Sequence, residues 1–300
     1  MQTYIKIIKN VLMKAPAKLK SLGSQSRIIH QGYGWANLEN DTEIEADQKM
    51  GEWFLKELQK YPDEIGRVVI EGKNPVVLSE SVHTAYVDPL DASLQYHLRN
   101  GTHGMAYSAV ITIVCDGGKY TLPGRKFSDI IAGGVVDLRF TNPIDIWVAQ
   151  RGKGAYVNGH MLIHAATGPY KFDLSKGQLA IMEMYYSDTR KLAAQMALGK
   201  DGYIRSPGSA ALEMVYVSNG MAQVHLCLSQ KCHELGAGYI INKEAGRYIA
   251  TIDNNFRPQD IDNVPFIFNS KLPVITACNK RYALSVLKEC RKAYPKGFHI

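Results

Sequence analysis

The run Tyr86-Val87-Asp88-Pro89-Leu90-Asp91-Ala92-Ser93-Leu94-Gln95-Tyr96 decides how this chain is read. Two carboxylates stand three residues apart around a proline, directly after an apolar run. Pro89 fixes its own φ near about −65° and keeps Asp88 out of the α region. The spacing predicts a strand over Ala85-Tyr86-Val87 that ends at Asp88 and turns at once, which aims Asp88 and Asp91 at one point. Paired carboxylates at a strand end make an oxygen cage for a hard divalent cation such as Mg²⁺. The small residues Ala92 and Ser93 leave backbone N–H groups to meet an anion. In isolation the same run also describes a capped turn with two solvated aspartates.

Composition narrows the choice. The 300 residues, 46% of them hydrophobic, suffice for a large core in one domain or two intimately packed halves. No apolar run approaches the ~18 residues that span a bilayer. The lysine-rich stretch from Met1 to Leu22 has no continuous apolar core and reads as a first surface helix rather than a secretory signal. Five scattered cysteines argue for a reducing, cytoplasmic compartment and against a disulfide framework. Cys227, Cys232 and His233 hint at zinc, but no second ligand pair follows at finger spacing. The net charge of +7 suits an anionic partner. Because the basic residues are scattered and no aromatic RNA-binding signature is present, that partner is expected to be a small phosphorylated molecule. Nucleic acid and membrane are not expected, and a homodimer stays open.

Along the chain, residues 43–60 read as an amphipathic helix with Ala46, Met50, Trp53, Phe54 and Leu58 on one face. Val68-Val69-Ile70 is a short buried strand ending at Glu71. Strands are expected over Tyr107–Cys115, Ile130–Leu138 and Ile144–Ala149, followed by a hairpin whose turn is Asn158-Gly159. After about residue 175 strands alternate with helices: strand 179–184, helix 188–198, helix 209–220, strand 222–226, helix 234–245 and a last helix over 280–292. This is an α/β (α+β layered) chain, expected to form an N-terminal α+β half, residues 1–175, carrying the paired carboxylates, and a C-terminal α/β half, residues 176–300.

Taken together, these motifs resemble the inositol monophosphatase and fructose-1,6-bisphosphatase superfamily of magnesium-dependent, lithium-sensitive phosphatases, over roughly residues 30–290. That family's Asp-Pro-(Ile/Leu)-Asp-(Gly/Ser)-(Thr/Ser) signature is similar to Asp88-Pro89-Leu90-Asp91-Ala92-Ser93, with Tyr96 as the following aromatic. Its Trp-Asp-x-Ala-Ala-Gly signature is similar to His233-Glu234-Leu235-Gly236-Ala237-Gly238, leading into Glu244-Ala245-Gly246. Ala46-Asp47-Gln48-Lys49, the hairpin Gly152–Gly159 and Ile204-Arg205-Ser206-Pro207-Gly208-Ser209-Ala210-Ala211 resemble three further family segments.

The resemblance implies a five-layer αβαβα sandwich and hydrolysis of a phosphomonoester by metal-activated water attack. It implies two or three Mg²⁺ ions, for which Mn²⁺ could substitute. Glu71, seventeen residues before Asp88, fits the family's strand-end glutamate better than Glu80. The family pattern then puts Glu71, Asp88 and the Leu90 carbonyl on a first ion, and Asp88, Asp91 and Glu234 on a second. It gives Asp47 the waters of a third, although an exposed helix charge explains Asp47 as well. Ser93, with Glu71 or Asp47, would orient the attacking water. The N–H groups of Ala92 and Ser93 would hold the phosphate. Gly208, Ser209 and Ala210 would meet the leaving group, with a helix cap as the plain alternative for Ser209.

Several positions depart from the pattern. Glu234 replaces Asp, His233 replaces Trp, and Ala92 replaces Gly or Ser, which requires a negative φ at Ala92. Cys227 stands where inositol-specific members place an acidic residue, and a thiol is a poor partner for ring hydroxyls. The expected substrate is an inositol phosphate, a 3′-phosphoadenosine 5′-phosphate-type nucleotide or a sugar bisphosphate. Gln95-Tyr96 resembles the bisphosphate branches of the superfamily, and the other motifs resemble the monophosphatases. The alternative is a catalytically weakened member that binds a phosphorylated ligand or another protein.

Overall fold

Tyr4, Ile7, Ile8, Val11 and Leu12 share one face of the first helix, and that face decides where the helix goes. The computed structural model describes residues 4–23, 28–30, 43–93, 96, 106–116, 124–139, 143–162, 171, 173, 178–182, 187–197 and 203–298. Helices α1 (Tyr4–Leu12), α2 (Ala15–Ser21) and α3 (Glu45–Leu58) form one outer layer. Strands β1 (Ile28–His30) and β2 (Glu43–Ile44) pair as a small ribbon ahead of α3. Strands β3 (Arg67–Ile70), β4 (Val76–Val77), β5 (His83–Asp91), β6 (Ser108–Cys115), β7 (Ile130–Asp137), β8 (Ile146–Gln150), β9 (Gly154–Val157) and β10 (His160–Met161) form the first large sheet. Its order is β10-β9-β8-β7-β6-β5-β3-β4. Only the β3–β5 pair in it is parallel among the described residues.

The second sheet is built from β11 (Leu179–Met182), β12 (Tyr203–Arg205), β13 (Val224–Lys231), β14 (Tyr248–Ile252), β15 (Pro258–Gln259) and β16 (Lys271–Ala277), in the order β12-β11-β13-β16-β14-β15. Helices α4 (Ser187–Ala197) and α7 (Lys280–Ala293) cover its outer face, and α5 (Ala210–Ser218) and α6 (Cys232–Glu244) lie between the sheets. Alternation along the strands sets the layers. Ala109, Ile111 and Ile113 face α1 and α3, whereas Val110 and Val114 face the central helices. On the second sheet Ile181 and Cys227 face inward, and Ala180, Met182, Leu226 and Leu228 face α4 and α7. The result is the five-layer αβαβα sandwich expected.

Covered on both sides, α5 and α6 as far as Asn242 are buried all round. The fit is close: a Cβ at Gly133 of β7 would lie 2.8 Å from the Ala237 Cα, and one at Gly236 would lie 2.8 Å from the Thr112 side chain.

Several expected boundaries move. The first helix is not merely superficial, because its apolar stripe is buried against β7 and β8. Strand β5 does not end at Asp88 but runs through Pro89 to Asp91. The helix expected from residue 43 starts at Glu45, and β13 extends from 226 to Lys231 before α6 begins at Cys232. Gln95 and the boundary near residue 175 lie outside the described residues. All five cysteines are free thiols, four of them buried. No helix among the described residues is long and apolar enough to cross a membrane.

Candidate metal centre

Residues three apart on a regular strand point to opposite faces. Asp88 and Asp91 escape that rule because Asp88 opposes Val110 while Asp91 opposes Ser108, so β5 carries one extra residue. This β-bulge lies between Asp88 and Asp91, where Pro89 has no N–H to give to a ladder and the Leu90 N–H turns to Asp88 Oδ1. It returns both carboxylates to the side that faces α6. The expected sharp turn is therefore a bulge inside a continuous strand, with the same effect on aim.

Glu234 comes to them from the first turn of α6, where an acidic side chain is favoured by the helix dipole. One ligand oxygen from each of Asp88, Asp91 and Glu234 lies within 4.8 Å of the others. A second set, Glu71, Asp88 and His233, meets the same limit, so Asp88 belongs to both. Glu71 follows β3 directly, beside β5, which places it at the same sheet end as Asp88. The exposures of Asp88, Asp91, His233 and Glu234 are 2%, 4%, 3% and 7%. Glu71 is half-buried.

Asp88 Oδ1 accepts the Leu90 N–H at 3.1 Å. Asp91 Oδ2 accepts three bonds: from Ser209 Oγ at 2.5 Å, the Ala211 N–H at 3.0 Å and Ser108 Oγ at 3.1 Å. Ser209 also accepts the Leu212 N–H at 3.3 Å, so the helix cap and the carboxylate partner are one hydroxyl. Glu234 Oε2 accepts from Gln230 Nε2. Glu71 Oε1 lies 3.2 Å from His233 Nε2 and 3.5 Å from Lys231 Nζ.

Burial, and then the charges of Glu71, Asp91 and Glu234, hold the Asp88 pKa well above the ordinary aspartate value. Burial also raises Asp91, against the pull of the Ser209, Ala211 and Ser108 donors. Burial would raise Glu71 too, but His233, Lys231 and a bond from Asp88 outweigh it and leave its pKa lowered. Buried carboxylates this close are costly unless something positive neutralises them. The Asp88, Asp91 and Glu234 set is all oxygen and suits a hard divalent cation, so these residues fit the Mg²⁺ that the resemblance implies.

Other expected residues stand around this cluster. Asp47 is half-buried, and its Oδ2 accepts the Ile44 N–H at 3.0 Å, which caps α3; it is in neither close set. Ala92 has φ +71°, so the negative φ required of it is corrected to a left-handed alanine, forced by the bulged exit of β5. Ala92 and Ser93 open a helical turn in which the Tyr96 N–H reaches the Ala92 carbonyl at 3.3 Å. Gly208 has φ +103° and Ala210 starts α5.

Sequence reasoning gave no site role to Lys231, Gln230 or Glu213, and weighed His233 only as a zinc candidate that lacked a second ligand pair. Gln230 and Lys231 end β13 and His233 lies in the first turn of α6, a strand-to-helix junction suited to ligands. Glu213 interrupts the apolar α5; its Oε1 accepts the Gly208 N–H at 2.9 Å and the Ser206 hydroxyl at 3.4 Å. On its other side, His225 Nε2 is 3.6 Å from Glu213 Oε2, and burial lowers His225 to about 3, so the imidazole is neutral.

The sequence matches the model of the inositol monophosphatase family over residues 126–293. A curated inositol-1-monophosphatase of Mesorhizobium japonicum is 23% identical over 219 residues, 70% of this chain and 71% of the relative. The solved extragenic suppressor protein suhB of Bartonella henselae superposes with a TM-score of 0.71 at 18% identity, covering 97% of this chain and 99% of that one. The IMPase of Thermotoga maritima superposes with a TM-score of 0.69 at 20% identity, covering 96% of each chain.

Proposed function

The chain belongs to the inositol monophosphatase family and is thus a phosphoric monoester hydrolase, and from that premise we propose that it hydrolyses a small phosphorylated metabolite with Mg²⁺ in the Asp88 cluster. The observation that carries this reading is the convergence of buried Asp88, Asp91 and Glu234, with Asp88 shared with Glu71. Divalent cations there would screen the phosphoryl charge and lower the pKa of water.

The chain's own residues then divide the work. Glu71, Asp88 and the Leu90 carbonyl would hold one ion, and Asp88, Asp91 and Glu234 another, with Asp47 toward a third. Ser93, with Glu71 or Asp47, would orient the attacking water and take its proton toward a carboxylate oxygen. The Ala92 and Ser93 N–H groups would bind phosphate oxygens. Lys231, beside Glu71, adds a positive charge at the same edge. The turn at Gly208, Ser209 and Ala210 would face the leaving group, held in place through Asp91 and Glu213.

The substrate class is proposed from the identity of Cys227, which stands where the resemblance places an acidic residue; it is buried in the inter-sheet core and receives the Ser229 N–H on its sulfur. It offers no carboxylate for ring hydroxyls. A bisphosphorylated nucleotide or sugar is therefore proposed over inositol 1-phosphate. Phosphate release from those three classes, with Mg²⁺ and with chelator, tests this. Metal-dependent turnover is expected, with the highest kcat/KM on a bisphosphate, and a highest value on inositol 1-phosphate would overturn the substrate assignment.

A second reading, a weakened member that binds phosphorylated ligands or another protein, draws support from one contact set. His233 and Lys231 both reach Glu71 Oε1. Ligand binding with no phosphate release from any substrate, under any divalent metal, would favour it.

A further inference from the structure

We propose that His233 is itself a ligand, through Nε2, to the cation held by Glu71 and Asp88. This gives the chain a mixed nitrogen and oxygen site that prefers first-row transition ions over Mg²⁺. The inference rests on the metal-site reading above and goes beyond it, since an indole, the side chain of the family signature at this position, could not serve as such a ligand.

The tautomer comes first. His233 Nδ1 lies 3.1 Å from the Phe268 carbonyl oxygen. A carbonyl only accepts, so Nδ1 carries a proton in either charge state of the ring, and a cation that displaces any proton Nε2 holds toward Glu71 meets the Nε2 lone pair. A backbone carbonyl is one of the usual partners, with carboxylate and water, of the far nitrogen of a metal-bound imidazole. The ring is fixed further by Phe268, whose ring centroid is 5.1 Å away, and by burial on the first turn of α6.

The aim comes second. Nε2 is 3.2 Å from Glu71 Oε1, 3.9 Å from Glu234 Oε1 and 4.0 Å from Asp88 Oδ2. Ligands about 2.1 Å from one octahedral ion stand about 3 Å apart when adjacent and about 4.2 Å apart when opposite. The Glu71 separation matches an adjacent pair, and the Asp88 separation approaches an opposite pair. Cys232, the neighbouring candidate ligand, turns away to Ser270 Oγ at 3.1 Å.

The chemistry comes third. Carboxylate sites suit Mg²⁺, whereas imidazole favours transition ions along the Irving–Williams order. One nitrogen in place of one water or carboxylate therefore shifts selectivity without abolishing Mg²⁺ binding.

The test uses Mn²⁺ as probe on the full chain, stripped with chelator and reloaded at one equivalent. Pulsed EPR should show coupling of the electron spin to an imidazole ¹⁴N, and His233→Gln should lose it while still binding Mn²⁺. Competition titrations should show the parent's preference for Mn²⁺ over Mg²⁺ falling about 10-fold or more in His233→Gln. His233→Asn provides the same comparison if the first variant does not fold. Tightly bound Mn²⁺ without nitrogen coupling in the parent would overturn the inference and leave the family metal site standing, as would coupling that survives in the variants. A parent that binds neither Mn²⁺ nor Mg²⁺ would overturn the underlying site reading instead.

Discussion

Asp88→Asn separates the two roles that the site gives to one carboxylate. Asp88 is common to both ligand sets and is 2% exposed. A like charge about 5 Å away costs on the order of 3 kcal/mol at an effective dielectric of about 20. Burial and the Glu71, Asp91 and Glu234 charges accordingly raise its pKa well above the ordinary value. In the metal-free protein the native state keeps a proton on Asp88 that the unfolded chain releases above about pH 4. The native state then binds more protons, so stability falls as pH rises from there through the raised native pKa. Asp88→Asn keeps the shape and removes that dependence. The chelated variant should match the parent near pH 4 and exceed it by about 1–3 kcal/mol at about pH 8, the size of one such contact. Its Mg²⁺-dependent phosphate release should fall about 10³-fold or more, equivalent to about 4 kcal/mol of lost transition-state stabilisation. Urea melts of chelated protein at the two pH values and a phosphate-release assay measure both effects. A folded variant with the parent's turnover, or one less stable than the parent at the higher pH, would refute the reasoning.

Three further outcomes are expected. Ala92→Gly relieves the left-handed strain of a φ of +71°; after the added unfolded-state entropy it should gain about 0.5–1 kcal/mol, seen as a higher urea midpoint. Gly133→Ala drives a methyl into the Ala237 backbone of α6 and should cost about 1–3 kcal/mol by the same measurement. Glu213→Ala frees the Gly208 N–H and the Ser206 hydroxyl. It should raise KM about 10-fold with kcat little changed, while Glu213→Gln, which keeps an acceptor, should do less.

Much of the fold was legible because its signals are local. The continuous apolar runs of β6 and β7, the Asn158-Gly159 turn and the Ser209 cap of α5 are written in short windows. What escaped was set by neighbours distant in sequence. Pro89 suggested an end to β5, but the ladder to β6 absorbs it as a bulge. Ala92 looked unsuited to φ > 0, yet the chain holds it there because the bulged strand must pass into a helical turn. Strands β14 and β16 were not foreseen; their pairing with each other and with β13 joins segments far apart in the sequence.

The sequence by itself determined the chemical inventory of the candidate site: Asp88 and Asp91 bracketing a proline, Glu71 at a strand end, and Glu234 at a helix start. Those residues are legible because each sits at a boundary where an apolar pattern stops, and a charge there has a specific exit from the core. Only the tertiary structure decided what converges. Asp91 is tied to α5 by Ser209 and Ala211, more than a hundred residues onward, and this fixes the second sheet's helix against the first sheet's strand. The carbonyl that sets the His233 tautomer belongs to Phe268, 35 residues along the chain, on a segment brought alongside α6 by the packing of the layers. A ring nitrogen's proton depends on which atom lies 3.1 Å away, and that distance exists only once the layers are assembled.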